Sequence, residues 1–242
     1  MIAPARQGRL RLLLTPAIVA AGCGVAYLVF FTLNAKFTDQ FILNRDFVER
    51  RFFEHVVLVV LSFVIAAAAG VPLGIAMAVA GPWLRVPVLL VANLGQAIPS
   101  LGVLVFFSAA LGLGTAPTVL ALVIYALLPI LRNTMVGLQG VDPAAVESAR
   151  GLGMTRVQSL LRVELPLASP VIFAGLRTSL ILIVGTATLG NFVGGGGLGD
   201  VINSGILQSD RIVFVGAVMV AALALTADWL LGLVERALVP RV

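Results

Sequence analysis

Long apolar stretches separated by short charged segments make up most of this chain. A charged side chain at the centre of a bilayer costs ~2.5 to 3.5 kcal/mol on the insertion scale, so stretches that lack charges indicate membrane-spanning helices. Stretches with at most one ionisable residue lie at 12–35, 55–84, 86–131, 165–199 and 212–234. The chain is therefore predicted to cross a membrane several times.

The stretch 86–131 is too long for a single span. As one helix it would extend about 69 Å, whereas the hydrocarbon core of a bilayer is only ~30 Å thick. Two Gly and a Pro within 112–117 predict a turn between two helices. Six spans follow, near 11–33, 56–80, 87–111, 117–137, 167–192 and 212–235. The segment 34–55 is predicted to be an external loop or a short interfacial helix.

Basic residues divide unevenly between the two sides of this arrangement, with Arg177 left inside a span. The side that holds both termini has ten: Arg6, Arg9, Arg11, Arg85, Arg132, Arg150, Arg156, Arg162, Arg236 and Arg241. The other side has five: Lys36, Arg45, Arg50, Arg51 and Arg211. Because Lys and Arg accumulate in short cytoplasmic loops, both termini are predicted to be cytoplasmic.

Composition supports a membrane protein and excludes several other classes. Of the 242 residues 60% are hydrophobic and 11% charged, too few charges to wet the surface of a soluble domain. The net charge of +5 comes from scattered Arg, without the basic cluster of a nucleic-acid site. The single Cys23 excludes an intrachain disulfide and a Cys-based metal cluster. The predicted fold class is all-α, a polytopic membrane helical bundle with one transmembrane domain over 1–242.

The N-terminal segment is similar to a lipoprotein signal that ends at Cys23. Three Arg precede an apolar stretch, and Ala20-Ala21-Gly22 precede the Cys. The apolar stretch continues to Leu33, however, and the apolar region of a signal is only about 7 to 15 residues long. This length favours a span over a cleaved signal.

The segment between the fourth and fifth spans carries clear helix signals. Asp142 can cap a first helix, Pro143 suits its first position, and Gly151 can end it. Thr155 and Gln158 form a capping box for a second helix. Leu165-Pro166 is expected to stop that second helix at the membrane. Two capped helices on the cytoplasmic side would form a compact, rigid projection.

The spacing in this segment resembles the EAA loop of ABC importer permeases. That motif has the form E-A-A-x3-G-x9-I-x-L-P, and the chain has Glu147-Ser148-Ala149, Gly153 and Val163-Glu164-Leu165-Pro166 at the same intervals. Two positions depart from it, since Ser148 replaces Ala and Val163 replaces Ile. The resemblance implies that the loop docks on a separate ATPase subunit. The residues implied in this coupling are Glu147, Ala149, Gly151, Gly153, Leu165 and Pro166.

Four further segments extend the resemblance to permeases for glycine betaine, carnitine, choline or proline betaine. They are Gln96–Leu101, Tyr125–Thr134, Gly185–Leu189 and Gly194–Asp200. The resemblance implies a type I importer permease fold, a permease core over 55–235 and a coupling loop over 142–166. It implies no cofactor bound by this chain, with ATP-Mg on the partner ATPase. The implied partners are ATP-binding cassette subunits, a second permease chain, an extracytoplasmic binding protein and the bilayer of the bacterial inner membrane.

Two polar segments within the predicted spans are candidates for a translocation path. Pro99 breaks the hydrogen bonding of the third span, and broken helix at membrane depth usually lines a cavity. Asn93, Gln96 and Ser100 have the spacing of one helix face, which is expected to point inward. The candidates are Asn93, Gln96, Pro99, Ser100, Thr186, Thr188 and Asn191. Interhelical hydrogen bonding remains the alternative role for each of them.

Other functions have weaker support in the sequence. Gly194, Gly196 and Gly199 fit a dinucleotide fingerprint, but no strand precedes them, so a flexible external loop is expected there. His55 is the single His, and no ligand set for a metal or constellation for an intramembrane enzyme accompanies it. An importer for another solute, such as an amino acid, or an ATP-independent channel remains open. Asp228 can pair with Arg177 or face the path, and the sequence does not decide between these.

Overall fold

The computed structural model describes residues 14–25, 44–206 and 208–238, and the regular structure in those ranges is entirely helical. The regular structure includes a π-helical turn, Leu160–Glu164, and a 3-10 segment, Ala187–Val193. The helices are α1 Leu14–Val25, α2 Arg45–Ala80, α3 Pro82–Ala97, α4 Ser100–Leu111, α5 Thr115–Gln139, α6 Pro143–Gly151, α7 Arg156–Ser159, α8 Leu165–Thr186, α9 Leu198–Ile206 and α10 Asp210–Leu238.

The membrane-spanning helices correspond to five of the six predicted spans. Within the described residues, α2, α5, α10 and the continuous helix 156–193 are long and apolar enough to cross a membrane. The pair α3 and α4 passes the same test together. Of the first predicted span, 11–33, the structure describes residues 14–25, which form α1. The all-helical fold class is confirmed.

The expectation of a loop or short helix over 34–55 is wrong for its second half. Residues 45–55 form the first turns of α2, and the Asn44 side chain caps them by accepting from the Phe47 N–H at 2.8 Å. Ion pairs Arg45–Glu49 and Arg50–Glu54 follow the helix surface. An uncharged stretch marks where lipid lies, whereas capping and ion pairs extend the helix beyond it. Residues 34–43 lie outside the described residues.

The third predicted span is not one helix. Pro99 lacks an N–H, and Ile98 before it adopts an extended conformation, so α3 ends and α4 begins with a bend of 99°. Asn93 and Gln96 lie on α3, but Ser100 lies on α4. The expectation that Ser100 shares their helix face is therefore wrong.

Helix α5 lies at the centre of the bundle. In its most apolar window 56% of the residues are buried, against 11 to 39% in the other three single-helix spans. Leu122, Ala126 and Ile130 of α5 belong to the largest apolar cluster, which residues of α2 and α8 complete. Glycine lets these neighbours approach closely. A Cβ on Gly175 of α8 would lie 2.8 Å from the Pro129 carbonyl oxygen of α5.

We expect Gly175→Ala to destabilise the fold by about 1–3 kcal/mol, because the added methyl overpacks the contact between α8 and α5. Gly185→Ala on the same helix is the matched control. Its Cβ meets nothing within 4 Å, so it is expected to leave stability unchanged or raise it by up to ~1 kcal/mol. Thermal unfolding of the purified variants in one detergent checks both. Equal midpoints for the two variants would contradict this packing.

Candidate coupling and translocation sites

The α6–α7 projection, residues 142–164, has the predicted capping. The Asp142 side chain accepts from the Ala144 N–H at 2.9 Å, and Pro143 occupies the first turn of α6. Thr155 accepts from the Gln158 N–H at 3.3 Å, while the Gln158 side chain accepts from the Thr155 N–H at 2.9 Å. Both helices therefore begin where the sequence predicts, with terminal N–H groups satisfied by local side chains.

The end of α6 depends on Gly153 rather than on Gly151. Gly151 is the last helical residue, as predicted, but it has no positive φ. Gly153 has φ of 78°, its N–H donates to the Arg150 carbonyl, and the Met154 N–H donates to the Ala149 carbonyl. These two bonds form a Schellman motif, in which a left-handed residue closes the helix. The sharp turn that separates α6 from α7 follows from this geometry.

The expectation that Leu165-Pro166 stops the second helix is wrong. The helix continues without interruption from Arg156 to Val193. Proline is tolerated because the preceding turn, Leu160–Glu164, is π-helical, and Pro166 occupies the first turn of α8. The α6–α7 projection is thereby joined to a spanning helix with no hinge of loop residues between them.

The coupling candidates divide into exposed and packed residues. Glu147, Gly151 and Gly153 are exposed. Ala149 is buried at 3%, and Leu165 packs on the apolar cluster at this end of the bundle; Pro166 is partly buried. Apolar side chains also lie on the outside, since Leu152 is 79% exposed and Val157 63%. The projection thus combines a rigid base with an outward surface that is partly apolar.

The path candidates of α3 are tied to α5. The Gln96 side-chain amide donates to the Tyr125 carbonyl at 2.7 Å. The Tyr125 hydroxyl donates to the Ile98 carbonyl at the bend. The Asn93 side-chain oxygen accepts from Arg132 Nη2 at 2.9 Å, and Asn93 is the one polar residue among the described residues that line a groove of about 480 Å³ beside α3. A polar seam therefore crosses an otherwise apolar surface at the helix break.

Proline explains where this seam forms. Pro129 has no N–H to donate to the Tyr125 carbonyl four residues earlier, so that oxygen is available to Gln96. Ile98 is extended before Pro99, so its carbonyl leaves the helical ladder and is available to the Tyr125 hydroxyl. In hydrocarbon such carbonyls need a side chain, a water or a neighbouring helix. The two carbonyls that proline frees, one on α5 and one at the end of α3, are thus both hydrogen-bonded by one pair of residues, Gln96 and Tyr125.

The second set of candidates lies at the end of α8. Thr186 is its last residue, and Thr188 and Asn191 fall in the tighter 3-10 segment. The Thr188 hydroxyl donates to the Gly185 carbonyl at 2.7 Å, which is a bond within its own chain segment and not between helices. Leu189 and Val193 pack with Tyr125 in one apolar cluster. That cluster places the 3-10 segment beside Tyr125, whose carbonyl accepts from Gln96.

An ion-pair group that the sequence did not reveal lies at the end of the bundle opposite the α6–α7 projection. It consists of Arg51, Glu54 and Asp200 and is called the latch here. Arg51 Nη1 lies 2.6 Å from Glu54 Oε2 and 2.9 Å from Asp200 Oδ2. The Glu54 carboxylate also accepts from the Gly197 N–H at 3.2 Å. Burial raises the pKa of the Asp200 carboxyl, while the Arg51 charge acts in the opposite direction. The latch joins the start of α2 to the start of α9.

His55 lies beside this latch and is fully buried. Its Nδ1 accepts from the Leu198 N–H at 3.2 Å, so the neutral ring carries its proton on Nε2, which lies 3.1 Å from the Val184 carbonyl. Residues 195–199 are likewise buried. This burial contradicts the expected flexibility of the glycine run but not its predicted external side, which is the end of the bundle opposite the α6–α7 projection. Only the sequence neighbours Glu54 and His55 could have drawn attention to this site.

Arg177 and Asp228, which the sequence left open, are paired. Arg177 Nε lies 2.8 Å from Asp228 Oδ1, and Arg177 Nη2 donates to Glu235 at 3.0 Å. All three side chains are about a third exposed or less. The group holds α10 against α8 and leaves Asp228 with a structural partner.

Comparisons with known proteins agree with this architecture. Residues 70–240 match the family model of the binding-protein-dependent transport system inner membrane component. The chain belongs to this family. It is 42% identical over 189 residues to the choline transport system permease protein OpuBB of Bacillus subtilis (strain 168), covering 78% of this chain and 87% of that protein. It is 41% identical over 208 residues to the carnitine transport permease protein OpuCD of Listeria monocytogenes serotype 1/2a (strain 10403S), covering 84% and 91%.

Solved structures show the same fold. A chain of the MetNI methionine ABC transporter matches with a TM-score of 0.72 at 24% identity, covering 81% of this chain and 97% of that one. An amino acid ABC transporter with histidines matches with a TM-score of 0.69 at 21% identity, covering 85% and 100%. The family member described here is therefore a multi-pass permease with the type I importer fold.

We expect Gly153→Ala to destabilise the end of α6 by about 1–2 kcal/mol, because a side chain is strained in the left-handed region. Amide exchange of residues 152–154 should accelerate about tenfold, as local opening becomes easier. Gly151→Ala is the matched control, since it is equally open to solvent and lacks a positive φ. Hydrogen exchange with mass spectrometry checks both, and equal protection in the two variants would contradict the Schellman ending.

Proposed function

We propose that this chain is the permease subunit of an ATP-driven importer for a small quaternary ammonium osmoprotectant, such as glycine betaine, carnitine, choline or proline betaine. The observation that carries the proposal is the set of relatives at about 41% identity over most of their length. Their names specify transport of choline, of carnitine, and of glycine betaine, carnitine and choline together. Identity of this extent over the spans supports a shared substrate class.

The α6–α7 projection is proposed to dock on a separate ATPase subunit. Three features support this role: it is rigidly capped, it continues directly into a spanning helix, and it exposes both Glu147 and the apolar Leu152 and Val157. ATP-Mg would bind to that partner, and the chain itself would carry no ATPase site. Its chemistry would then be conformational, with hydrolysis elsewhere driving alternate access.

The other proposed partners are a second permease chain and an extracytoplasmic binding protein, in the bacterial inner membrane. A quaternary ammonium group is held best by several aromatic rings through cation–π contacts. The whole chain has only 2 Trp and 2 Tyr. The selective site is therefore proposed to lie on the binding protein, while this chain offers a weakly binding passage past Asn93, Gln96, Pro99, Ser100, Thr186, Thr188 and Asn191.

An uptake experiment tests the substrate class and the energy source together. The chain is reconstituted in liposomes with its ATPase and binding-protein partners, and labelled glycine betaine, choline, carnitine and methionine are offered with and without ATP. We expect ATP-dependent uptake of a quaternary ammonium compound and no uptake of methionine. Methionine uptake would favour an amino-acid importer, and uptake that needs no ATP would favour a channel.

A charge reversal tests the docking surface. Glu147→Arg is expected to lower ATP-dependent uptake by about tenfold or more, because it places a like or unpaired charge in the proposed interface. The variant should still insert into the membrane, since Glu147 is exposed. Glu49→Arg is the control, as it removes only an exposed i,i+4 pair on α2. Normal uptake by Glu147→Arg would argue against coupling through α6.

A further inference from the structure

Helix α5 connects the α6–α7 projection to the break between α3 and α4. It ends at Gln139, three residues before the Asp142 cap of α6. Tyr125 lies about 21 Å along the helix from that end, at 1.5 Å per residue. Because α5 is the most buried of the single-helix spans, it is held along its length by neighbours. Such restraint favours transmission of a displacement from the C-terminal end of α5 to Tyr125.

Two levels of hydrogen bonds join α5 to α3. Gln96 meets Tyr125, and Asn93 meets Arg132, which lies two turns nearer the projection. Asn93 and Gln96 are three residues apart and share one face of α3. Tyr125 and Arg132 are seven residues apart and share one face of α5. At the level further from the projection, Tyr125 makes a second bond, from its hydroxyl to the Ile98 carbonyl. The bend is thus held by both the backbone and the side chain of one residue.

We propose that Tyr125, Gln96 and Ile98 form a clip that transmits movement of the α6–α7 projection to the broken α3–α4 pair, with Tyr125 as its positioning residue. The inference rests on the proposed function. Both carbonyls in the clip lie outside the helical ladder, so releasing the clip leaves two unsatisfied oxygens in an apolar setting. The clip consequently opens and closes as a unit and does not loosen gradually.

A purely structural role for the same contacts gives a different outcome. If Tyr125 only stabilised the bundle, its loss would lower ATP hydrolysis and uptake together, or lower the amount of assembled complex. If the clip transmits movement, its loss leaves assembly and ATP hydrolysis intact and lowers uptake. The number of ATP molecules hydrolysed per substrate imported is therefore the deciding quantity.

The test uses Tyr125→Phe, which keeps the ring and its packing against the buried cluster that includes Leu104 and Val193 but removes the hydroxyl. In the full reconstituted complex, we expect uptake to fall about fivefold at an unchanged hydrolysis rate, the factor that one hydrogen bond of ordinary net strength provides. The control is Ser108→Ala, which removes a hydroxyl bonded only to its own helix, at Val105. It should leave both rates unchanged.

A second variant keeps the inference falsifiable should the first assemble poorly. Gln96→Leu removes the other bond of the clip, and it is expected to raise the ATP consumed per substrate by a similar factor. The double variant should equal the stronger single variant, because the two bonds act as one unit. Additive losses, parallel losses of uptake and hydrolysis, or an unchanged ratio in both single variants would each overturn the clip. Absence of ATP-dependent uptake in the unaltered complex would instead contradict the proposed function.

Discussion

Satisfying backbone groups where proline interrupts a helix is the constraint on which this structure depends. Hydrocarbon supplies no water to an exposed carbonyl, so each interruption needs a donor from elsewhere in the chain. Pro129 leaves the Tyr125 carbonyl to Gln96, and Pro170 leaves the Pro166 carbonyl to the Ser169 hydroxyl at 2.6 Å. The first interruption ties two helices together, whereas the second is satisfied locally. The position of a donor therefore decides whether a proline joins helices or only bends one.

Glycines allow α2 and α8 to pack closely against α5. Gly70, Gly74 and Gly175 bring α2 and α8 so near that an added Cβ would overlap side-chain or backbone atoms of α5. The hydrophobic effect contributes little to helix association in lipid, so helices associate through the close van der Waals packing that small residues permit. The Ser179 hydroxyl then reaches the Ala126 carbonyl at 2.7 Å and adds a buried bond to the same contact. These contacts restrain α5 along its length, and this restraint is the mechanical basis for the proposed coupling through α6.

Local features were predictable from the sequence, and long-range ones were not. The caps at Asp142 and Thr155 are confirmed because capping depends on residues within one turn. Most of the spans were found because charge is expelled from lipid along the whole helix. The 99° bend was missed although Pro99 was recognised, since a proline predicts an interruption but not the angle. The latch of Arg51 with Asp200 was missed because it joins residues far apart in the chain, and no spacing rule relates them.

Ion pairs contribute to the packing near the two ends of the bundle, whereas mainly neutral contacts hold its middle. Charged side chains close one end through Arg51, Glu54 and Asp200, and Arg177 links α8 to α10 towards the other. Between them Gln96 and Thr188 make short, neutral hydrogen bonds to backbone oxygens, while Asn93 accepts from the Arg132 side chain. Neutral groups already satisfied by the protein offer a solute little that is specific. A passage built in this way suits movement better than recognition, in agreement with the proposal that selection lies on another subunit.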